Sequence, residues 1–325
     1  MTDAGTAAVL VADVGGTNAR FALSDAPGVI RDVRVCRASD HPTFDGALSA
    51  YLRDQQVDCV SEARIAAAGP VEGDVVALTN SPWRIVSDEV TKVLARSGGK
   101  NCSVGLFNDL EAVALALPHL SGDQLAPFGH RLQGPVRKPM LAINVGTGFG
   151  AACAVPIGKD GWTATATEAG HMTFASKMPD EDRLVADFPV VESILSGAGL
   201  VDLYREVATW DLKASVPRSD VTAQSVLQSG HAQSDDQSAS RSIQIFSDLL
   251  ARVAGDLVVA HGAWGGVYLC GSVAQSWART FGETEAERFS SVFEAKGKMA
   301  GRMQSVPVFV ITEDQPALVG LTFVG

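Results

Sequence analysis

The sequence has few cysteines, and they form neither a disulfide pattern nor a metal-ligand pattern. There are five in 325 residues, an odd number, and no two are spaced as CxxC. Cysteine and histidine do not cluster at the spacing of a zinc site. We therefore expect buried, reduced thiols in a cytoplasmic protein. The five are Cys36, Cys59, Cys102, Cys153 and Cys270.

Positive charge is also scarce. Lysine and arginine total 26 against 37 aspartates and glutamates, the net charge is −11, and no lysine- or arginine-rich run occurs. This balance argues against nucleic acid as a partner and against attraction to an anionic membrane surface. It leaves phosphate ligands open, because backbone N–H groups of local loops bind anions on acidic proteins too.

Long apolar runs are missing as well. No stretch approaches the length of a membrane span, and no basic region precedes the apolar Val9–Val14, since the first basic residue is Arg20. We expect a cytoplasmic protein that does not associate with a membrane. The 46% hydrophobic content is sufficient for a large core and for two domains.

Strand and helix patterns alternate along the chain, which indicates an α/β fold, and strand pairs joined by short hairpins indicate mixed sheets. The predicted strands are Ala8–Val14, Arg20–Ser24, Val33–Arg37, Ala63–Ala68, Asp74–Leu78, Val104–Phe107, a hairpin within Met140–Val155, Gly265–Val273 and Pro307–Ile311. The predicted helices are His41–Arg53, Ser87–Arg96 with an N-cap signal at Ser-Asp, Leu110–Leu117, a helix carrying Ile243 to Val258 and ending at His261-Gly262, and Ala317–Phe323. The segments Ser121–Lys138 and Gln228–Ser240 are predicted to be a crossover and a flexible loop.

The first hairpin joins its strands through Asp-Val-Gly-Gly-Thr-Asn. Gly15 and Gly16 allow positive φ and can expose backbone N–H groups to an oxyanion. Thr17 and Asn18 add short side chains that hydrogen-bond phosphate, and Asp13 at the strand end suits Mg²⁺ held through water. The tip therefore suits a phosphate ligand, although an ordinary Gly-Gly turn explains an isolated DxGGT equally well.

A second hairpin, about 130 residues later, repeats this plan with threonine and glycine exchanged, which indicates two related halves. Its tip, Gly146-Thr147-Gly148, is the candidate for the other phosphates of a triphosphate. The glycine-rich turn at Gly271, after a later strand, is the candidate for the nucleoside. The pattern GxxxxGK[ST] is absent, and the strand predicted after the second tip argues against a dinucleotide-binding loop.

Polar residues with acid–base chemistry follow the central strands. Asp109 lies where a strand passes into a helix, so it could accept a proton from a hydroxyl that attacks phosphorus, or it could simply cap the helix. With Asn108, Glu168, His171 and Glu192 it forms a set suited to a polyhydroxyl ligand. A structural histidine and solvated glutamates are the alternative interpretation.

Seven stretches taken together are more specific than any one of them. They are, in order, ADVGGTNARFAL, LTNSPWRI, FNDLEAVALALP, INVGTGFG, TEAGHMTFA, ESILSGAGLVDLY and GGVYLCGSV. In order and spacing the chain resembles the bacterial ATP-dependent glucokinases that lack a zinc motif, within the actin-like sugar-kinase superfamily. The resemblance covers nearly the whole chain, from Val9 to about Gly320.

The resemblance implies a two-domain actin-like (ribonuclease H-like) α/β fold with mixed sheets and an interdomain cleft that closes on sugar. The small domain would comprise residues 1–118 and 311–325, the large domain would comprise residues 119–310, and the protein would commonly be a homodimer. The implied activity is transfer of the γ-phosphoryl group of MgATP to the 6-hydroxyl of D-glucose.

The resemblance also implies roles for the motif residues. Asp109 would be the base for the 6-hydroxyl. The implied glucose-binding set is Asn108, Asp109, Glu168, His171 and Glu192. The implied phosphate motifs are Asp13, Gly15, Gly16 and Thr17, and then Gly146, Thr147 and Gly148, with Gly265 to Gly271 near the adenosine.

Two departures from the family pattern occur. Ser272 stands where a second glycine is frequent, which affects the fit to the nucleoside, and Ala169 replaces a frequent glycine beside Glu168. The cysteine-rich zinc motif and N-terminal DNA-binding helices of the repressor–kinase relatives are absent, so that branch is disfavoured. A kinase for another hexose or amino sugar, a non-catalytic sugar or nucleotide sensor and a polymerising actin-like protein remain as alternatives.

Overall fold

The computed structural model describes residues 8–57, 59–78, 81–98, 102–129, 137–210, 220–230 and 235–324. The chain forms two compact units. The first comprises Met1–Leu120, Trp162–Ala164 and Asp314–Gly325, and the second comprises Ser121–Gly161 and Thr165–Glu313. Thr79 and Asn80 of the LTNSPWRI stretch lie outside the described residues, as do parts of the predicted crossover and flexible loop.

The first unit is built on a mixed sheet. Its strands are β1 Ala8–Val14, β2 Asn18–Ala26, β3 Val29–Arg37, β4 Val60–Ala67, β5 Val71–Glu72, β6 Val75–Ala77, β7 Arg84–Val86 and β8 Ser103–Asn108. The main sheet has the order β3-β2-β1-β4-β8, in which β1 is antiparallel to β2 and parallel to β4; β5, β6 and β7 form a small separate sheet. The helices of the unit are α1 Phe44–Asp54, α2 Ser87–Arg96, α3 Asp109–Ala116 and, from the C-terminus, α10 Pro316–Leu321.

The C-terminal helix α10 belongs to the first unit, where it packs against α3. Strand β1 is apolar on both faces, as expected of a central strand that is covered on both sides. Helix α10 packs against α3 so closely that a Cβ at Gly320 would lie 1.9 Å from the carbonyl oxygen of Ala112. Only glycine permits this approach of two helix backbones.

The second sheet is larger and mixed, and all of it except Trp162–Ala164 belongs to the second unit. Its strands are β9 Leu125–Phe128, β10 Met140–Val145, β11 Phe149–Ile157, β12 Gly161–Thr167, β13 Gly266–Cys270 and β14 Val308–Ile311. Their order is β12-β11-β10-β13-β14-β9. The helices are α4 Pro179–Asp182, α5 Gly197–Trp210, α6 Ala223–Ser229, α7 Gln237–His261, α8 Ser272–Glu294 and α9 Ala300–Met303.

Apart from the additional edge strand β9, the two sheets share one strand order, as expected of two related halves. In each, a hairpin supplies the first two strands, the third strand extends the sheet beyond the second, and the first strand is parallel to the fourth. The two hairpin tips therefore occupy equivalent places, at the carboxyl ends of β1 and β10. Ligands of open α/β sheets bind at such ends.

The predicted elements around the hairpins are confirmed, and others differ. The predicted crossover contains edge strand β9, which tolerates Pro127 because an edge strand needs no donor on its free side. The predicted flexible loop is wrong at both ends, where α6 and α7 continue into it. Ser87 is the first residue of α2 and not its cap. Among the described residues, no helix has the length and hydropathy needed to cross a bilayer.

Candidate active site

The first hairpin tip is a tight turn in the first unit. The Gly15 N–H donates a hydrogen bond to the Asn18 carbonyl, with 2.9 Å between N and O. The prediction of positive φ is wrong for Gly15 and Gly16, and Gly146 and Gly148 of the second tip do not have positive φ either. These turns close through backbone hydrogen bonds without a left-handed residue.

Asp13 lies one residue before this tip and has a basic partner across the hairpin. The β1–β2 register places it opposite Arg20, whose Nη1 is 3.1 Å from its Oδ2. The Asp13 side chain keeps 21% of its surface exposed. Burial raises the pKa of the Asp13 carboxyl above its usual range, although the charge and hydrogen bond of Arg20 act to lower it.

The sequence left open whether Asp109 caps helix α3 or acts as a base, and in the structure the cap is Asn108. Strand β8 ends at Asn108, whose Oδ1 accepts hydrogen bonds from the N–H groups of Leu110 and Glu111 at 3.0 and 3.3 Å. The Glu111 carboxylate accepts in turn from the Asn108 N–H, which completes a capping box. The cap of α3 is therefore Asn108. Asp109 is the first residue of the helix, and its Oδ1 accepts from the Leu110 N–H at 2.8 Å.

The surroundings of Asp109 raise the pKa of its carboxyl group. Burial, followed by the negative charge of Asp13, raises the pKa of the Asp109 carboxyl to about 6, against the lowering effect of the Leu110 N–H. Asp13 and Asp109 thus share the carboxyl-end edge of one sheet, on β1 and directly after β8, with β4 between them. A carboxyl group that titrates near neutral pH suits general-base chemistry.

The second hairpin tip, in the second unit, meets the N-termini of two helices. The Gly146 N–H donates to the Gly148 carbonyl at 3.0 Å, and the Gly197 N–H at the start of α5 donates to the Gly146 carbonyl at 2.8 Å. Gly271, which precedes α8, has φ +89°, and a Cβ there would lie 2.5 Å from the Val145 carbonyl oxygen. Two helix N-termini beside one tip supply N–H groups and positive dipole ends, which favour phosphate.

Glu192 is joined to this second tip. Its Oε2 accepts a hydrogen bond from the N–H of Phe149, the residue that follows the tip, at 2.7 Å. A Cβ at Gly148 would lie only 2.5 Å from the same oxygen, so the glycine leaves the space that the carboxylate occupies.

Glu168 and His171 lie beside Glu192 in the same unit. The Glu168 Oε2 and the His171 Nε2 are 3.9 Å apart, and the two side chains are 88% and 67% exposed. The turn between them contacts Glu192, because a Cβ at Gly170 would lie 3.4 Å from the Glu192 Cβ. A groove of about 1090 Å³ opens along α5, and Thr147 and Glu192 are among its lining residues, whereas Glu168 and His171 are not.

The structure therefore brings the candidate residues together in two sets, one in each unit. The set of the first unit is Asp13, Gly15, Gly16, Thr17, Asn18, Asn108 and Asp109. The set of the second unit is Gly146, Thr147, Gly148, Glu168, His171, Glu192 and Gly271. The sequence interpretation missed two contacts. The first is the pairing of Arg20 with Asp13, which strand alternation cannot reveal, and the second is the hydrogen bond of Glu111 in the capping box of α3. The Asn-x-x-Glu pattern was an available signal for the second.

A family model described as Glucokinase matches residues 10–324. The chain belongs to the glucokinase family. It is 34% identical over 321 residues to the glucokinase of Pectobacterium atrosepticum, an alignment that covers 96% of this chain and 95% of the relative. It is also 34% identical over 322 residues to the bifunctional protein glk of Burkholderia orbicola, covering 96% of this chain and 48% of the relative. The chain thus spans about half the length of the bifunctional curated relatives it matches.

A solved structure has the same fold. A glucokinase from an Antarctic psychrotroph matches with a TM-score of 0.82 at 27% identity, covering 97% of this chain and 98% of that chain. The predicted α/β fold of the actin-like sugar kinases, with mixed sheets, is confirmed.

Proposed function

We propose that this chain is a glucokinase that transfers the γ-phosphoryl group of MgATP to the 6-hydroxyl of D-glucose, giving glucose 6-phosphate and ADP. The observation that carries the proposal, within a chain of the glucokinase family, is the carboxylate of Asp109. It stands at the first turn of α3, free of the capping role that Asn108 fills, and its pKa is about 6.

Asp109 is the general base in this proposal. Phosphoryl transfer to an alcohol depends mainly on positioning and on charge stabilisation, and a base must accept the hydroxyl proton as the oxygen attacks phosphorus. The Leu110 N–H holds one carboxylate oxygen of Asp109 in place. The other oxygen is then the acceptor for the proton of the sugar 6-hydroxyl.

The sugar hydroxyls are bound by Asn108, Asp109, Glu168, His171 and Glu192. Carboxylates accept two or more hydrogen bonds each, which suits a ligand that presents several hydroxyl groups. Exposed Glu168 and His171 side chains are accessible to a ligand. Glu192 has one oxygen committed to the Phe149 N–H and keeps the other for a hydroxyl.

The phosphates of ATP are bound by the two hairpin tips, with Gly271 at the nucleoside. Mg²⁺ is held near Asp13 through water. The carboxylates of Asp13 and Asp109 on one sheet edge favour a cation, and no group of three or more potential ligands occurs among the described residues. Phosphate oxygens and water would therefore complete the coordination, as is usual for Mg²⁺. Bound near Asp13, Mg²⁺ would offset the negative charge of the phosphate oxygens.

The proposal includes the domain organisation that the resemblance implies. Residues 1–118 and 311–325 form the small domain and residues 119–310 the large one, and closure on sugar excludes water, which would otherwise accept the phosphoryl group. The enzyme acts in the cytoplasm as a homodimer. Sedimentation of the full chain across a concentration series tests the dimer.

The activity is tested by ADP release from MgATP with single sugars: glucose, mannose, fructose, galactose, glucosamine and N-acetylglucosamine. Turnover that is strong on glucose and weak on the others supports the proposal. Better turnover on another sugar reassigns the substrate and keeps the mechanism. No turnover on any sugar, with sugar binding intact by calorimetry, contradicts the enzyme and favours a sensor.

A further inference from the structure

Glu181 is a buried carboxylate that the proposed reaction does not use. Its side chain is 2% exposed. Its Oε2 accepts hydrogen bonds from the N–H groups of Lys177 and Met178 at 2.6 and 3.2 Å. Its Oε1 accepts from the Arg252 Nη2 at 2.9 Å. Breaking such a buried pair is costly, because it leaves a charge without a partner.

Glu181 lies in the middle of residues 172–191, here termed the 172–191 loop. The ends of this loop are joined, since the Val191 N–H donates to the Met172 carbonyl at 2.9 Å. Apolar side chains of the loop are buried in the core of the second unit, so the loop has a fixed shape. They are Phe174, Leu184, Phe188 and Val191.

The two ends of the 172–191 loop carry proposed sugar-binding residues. Glu168 and His171 directly precede it, and Glu192 directly follows it. The hydrogen bond from the Val191 N–H to the Met172 carbonyl therefore holds Glu192 close to the turn that carries Glu168 and His171. Any shift of the loop on the body of the unit moves both groups together.

Two ion pairs tie the middle of the loop to helix α7. Arg252 belongs to this helix, and so does Arg241, whose Nε is 2.8 Å from the Oδ2 of Asp180. The two arginines lie about three helical turns apart and so project from the same face of α7. The Glu181–Arg252 pair is the buried member of the two.

We propose that Glu181 and Arg252 are positioning residues for sugar binding. Their ion pair holds the 172–191 loop on α7 and thereby fixes Glu168, His171 and Glu192. The kinetic test of this inference rests on the proposed function, whereas the anchoring of the loop is measurable without sugar.

The kinetic test uses Glu181→Gln. A glutamine offers one acceptor oxygen and an NH₂ donor, so it cannot satisfy both Arg252 and the two backbone N–H groups. The KM and the calorimetric Kd for glucose should rise about tenfold or more, while turnover at saturating glucose stays within about twofold. Arg252→Gln should match it, the double variant should be no worse than the worse single variant, and Arg252→Lys should lie nearer the wild type.

A matched control separates positioning from stability. Asp248→Asn removes a bidentate pair with Arg288, with distances of 2.7 and 2.5 Å, that joins α7 to α8 outside the loop. This variant should lose thermal stability and keep its glucose KM. If Glu181→Gln behaves like Asp248→Asn, with lower stability and an unchanged glucose KM, the positioning role is overturned.

Hydrogen exchange measures, in the absence of sugar, whether the Glu181–Arg252 ion pair holds the 172–191 loop on α7. In Glu181→Gln, or in Arg252→Gln if the former does not fold, amides of the 172–191 loop and of residues 168–171 should exchange faster than in the wild type. Unchanged exchange there overturns the inference. A wild-type chain that fails to phosphorylate glucose overturns the proposed function alone, because the exchange result still decides whether the pair anchors the loop.

Discussion

Glu192 accepts a hydrogen bond from the N–H of Phe149, with 2.7 Å between Oε2 and N. A residue assigned to sugar binding is thereby attached to the hairpin assigned to the phosphates of ATP. Gly148 makes the attachment possible, because any larger residue would place a Cβ 2.5 Å from the carboxylate.

Gly148→Ala should therefore raise the KM for glucose, although Gly148 lies in a phosphate hairpin. Displacement of the carboxylate costs a charged hydrogen bond, so the increase should be about tenfold or more. Steady-state kinetics with each substrate varied measure it. Gly301→Ala is the control, since a Cβ there meets nothing within 4 Å. A rise confined to the KM for MgATP would show that Glu192 does not depend on the hairpin.

Gly271→Ala should mainly weaken nucleotide binding. The left-handed φ of +89° and the contact with the Val145 carbonyl both oppose a side chain, so the start of α8 must move. The KM for MgATP should rise about tenfold with the glucose KM within about twofold. Gly297→Ala separates the two causes, because Gly297 has φ +56° and nothing within 4 Å of its Cβ position. Equal kinetics for the two variants would exclude a role for Gly271 at the nucleotide.

The pH–rate profile should follow Asp109. A base must be ionised, and the pKa of this carboxyl is raised to about 6 by burial and by the Asp13 charge. The kcat/KM for glucose, which reports the pKa values of the free enzyme, should therefore be constant above this value and fall about tenfold per pH unit well below it. The profile is measured at constant ionic strength, with the coupling enzymes in excess at every pH. An acid limb with its midpoint near 4 would contradict the raised pKa.

Asp109→Asn should be more stable than the wild type at neutral pH. The folded-state pKa of Asp109 lies above its unfolded value, so the folded state binds the proton more tightly, and this contribution to stability is lost as pH rises through about 6. The substitution removes a cost on the order of 1–3 kcal/mol. Chemical unfolding at pH 7.5 and at pH 4 checks it. The two proteins should differ at the higher pH and converge at the lower one, and no difference at pH 7.5 would mean that the carboxylate is well solvated.

Local sequence signals predicted the parts of the fold that short-range chemistry determines. The hairpins around Asp13 and Gly146 follow from apolar strands that flank small polar tips, and α2 has the predicted bounds. Asn108 and Asp109 stand at the predicted strand-to-helix junction. Their division into cap and free carboxylate was also present in the sequence, as the pattern Asn-x-x-Glu.

Contacts between distant segments were not predictable in the same way. Glu192 and Phe149 are 43 residues apart, and nothing in the local pattern of either indicates a hydrogen bond. Glu181 lies in the acidic run Asp-Glu-Asp, which is typical of a solvated surface, yet it is buried against Arg252 on another helix. Tertiary contacts of this kind override local preference.

The most direct measurement compares Asp109→Asn with the wild type in two quantities, its turnover and its affinity for glucose. Calorimetry should show glucose binding within about tenfold of the wild type, because an amide keeps most of the hydrogen bonds of the carboxylate. Turnover at saturating glucose and MgATP should fall on the order of 10³-fold or more, since the base is lost. Near-normal turnover in this variant, with glucose bound, would contradict the assignment of Asp109 as the base.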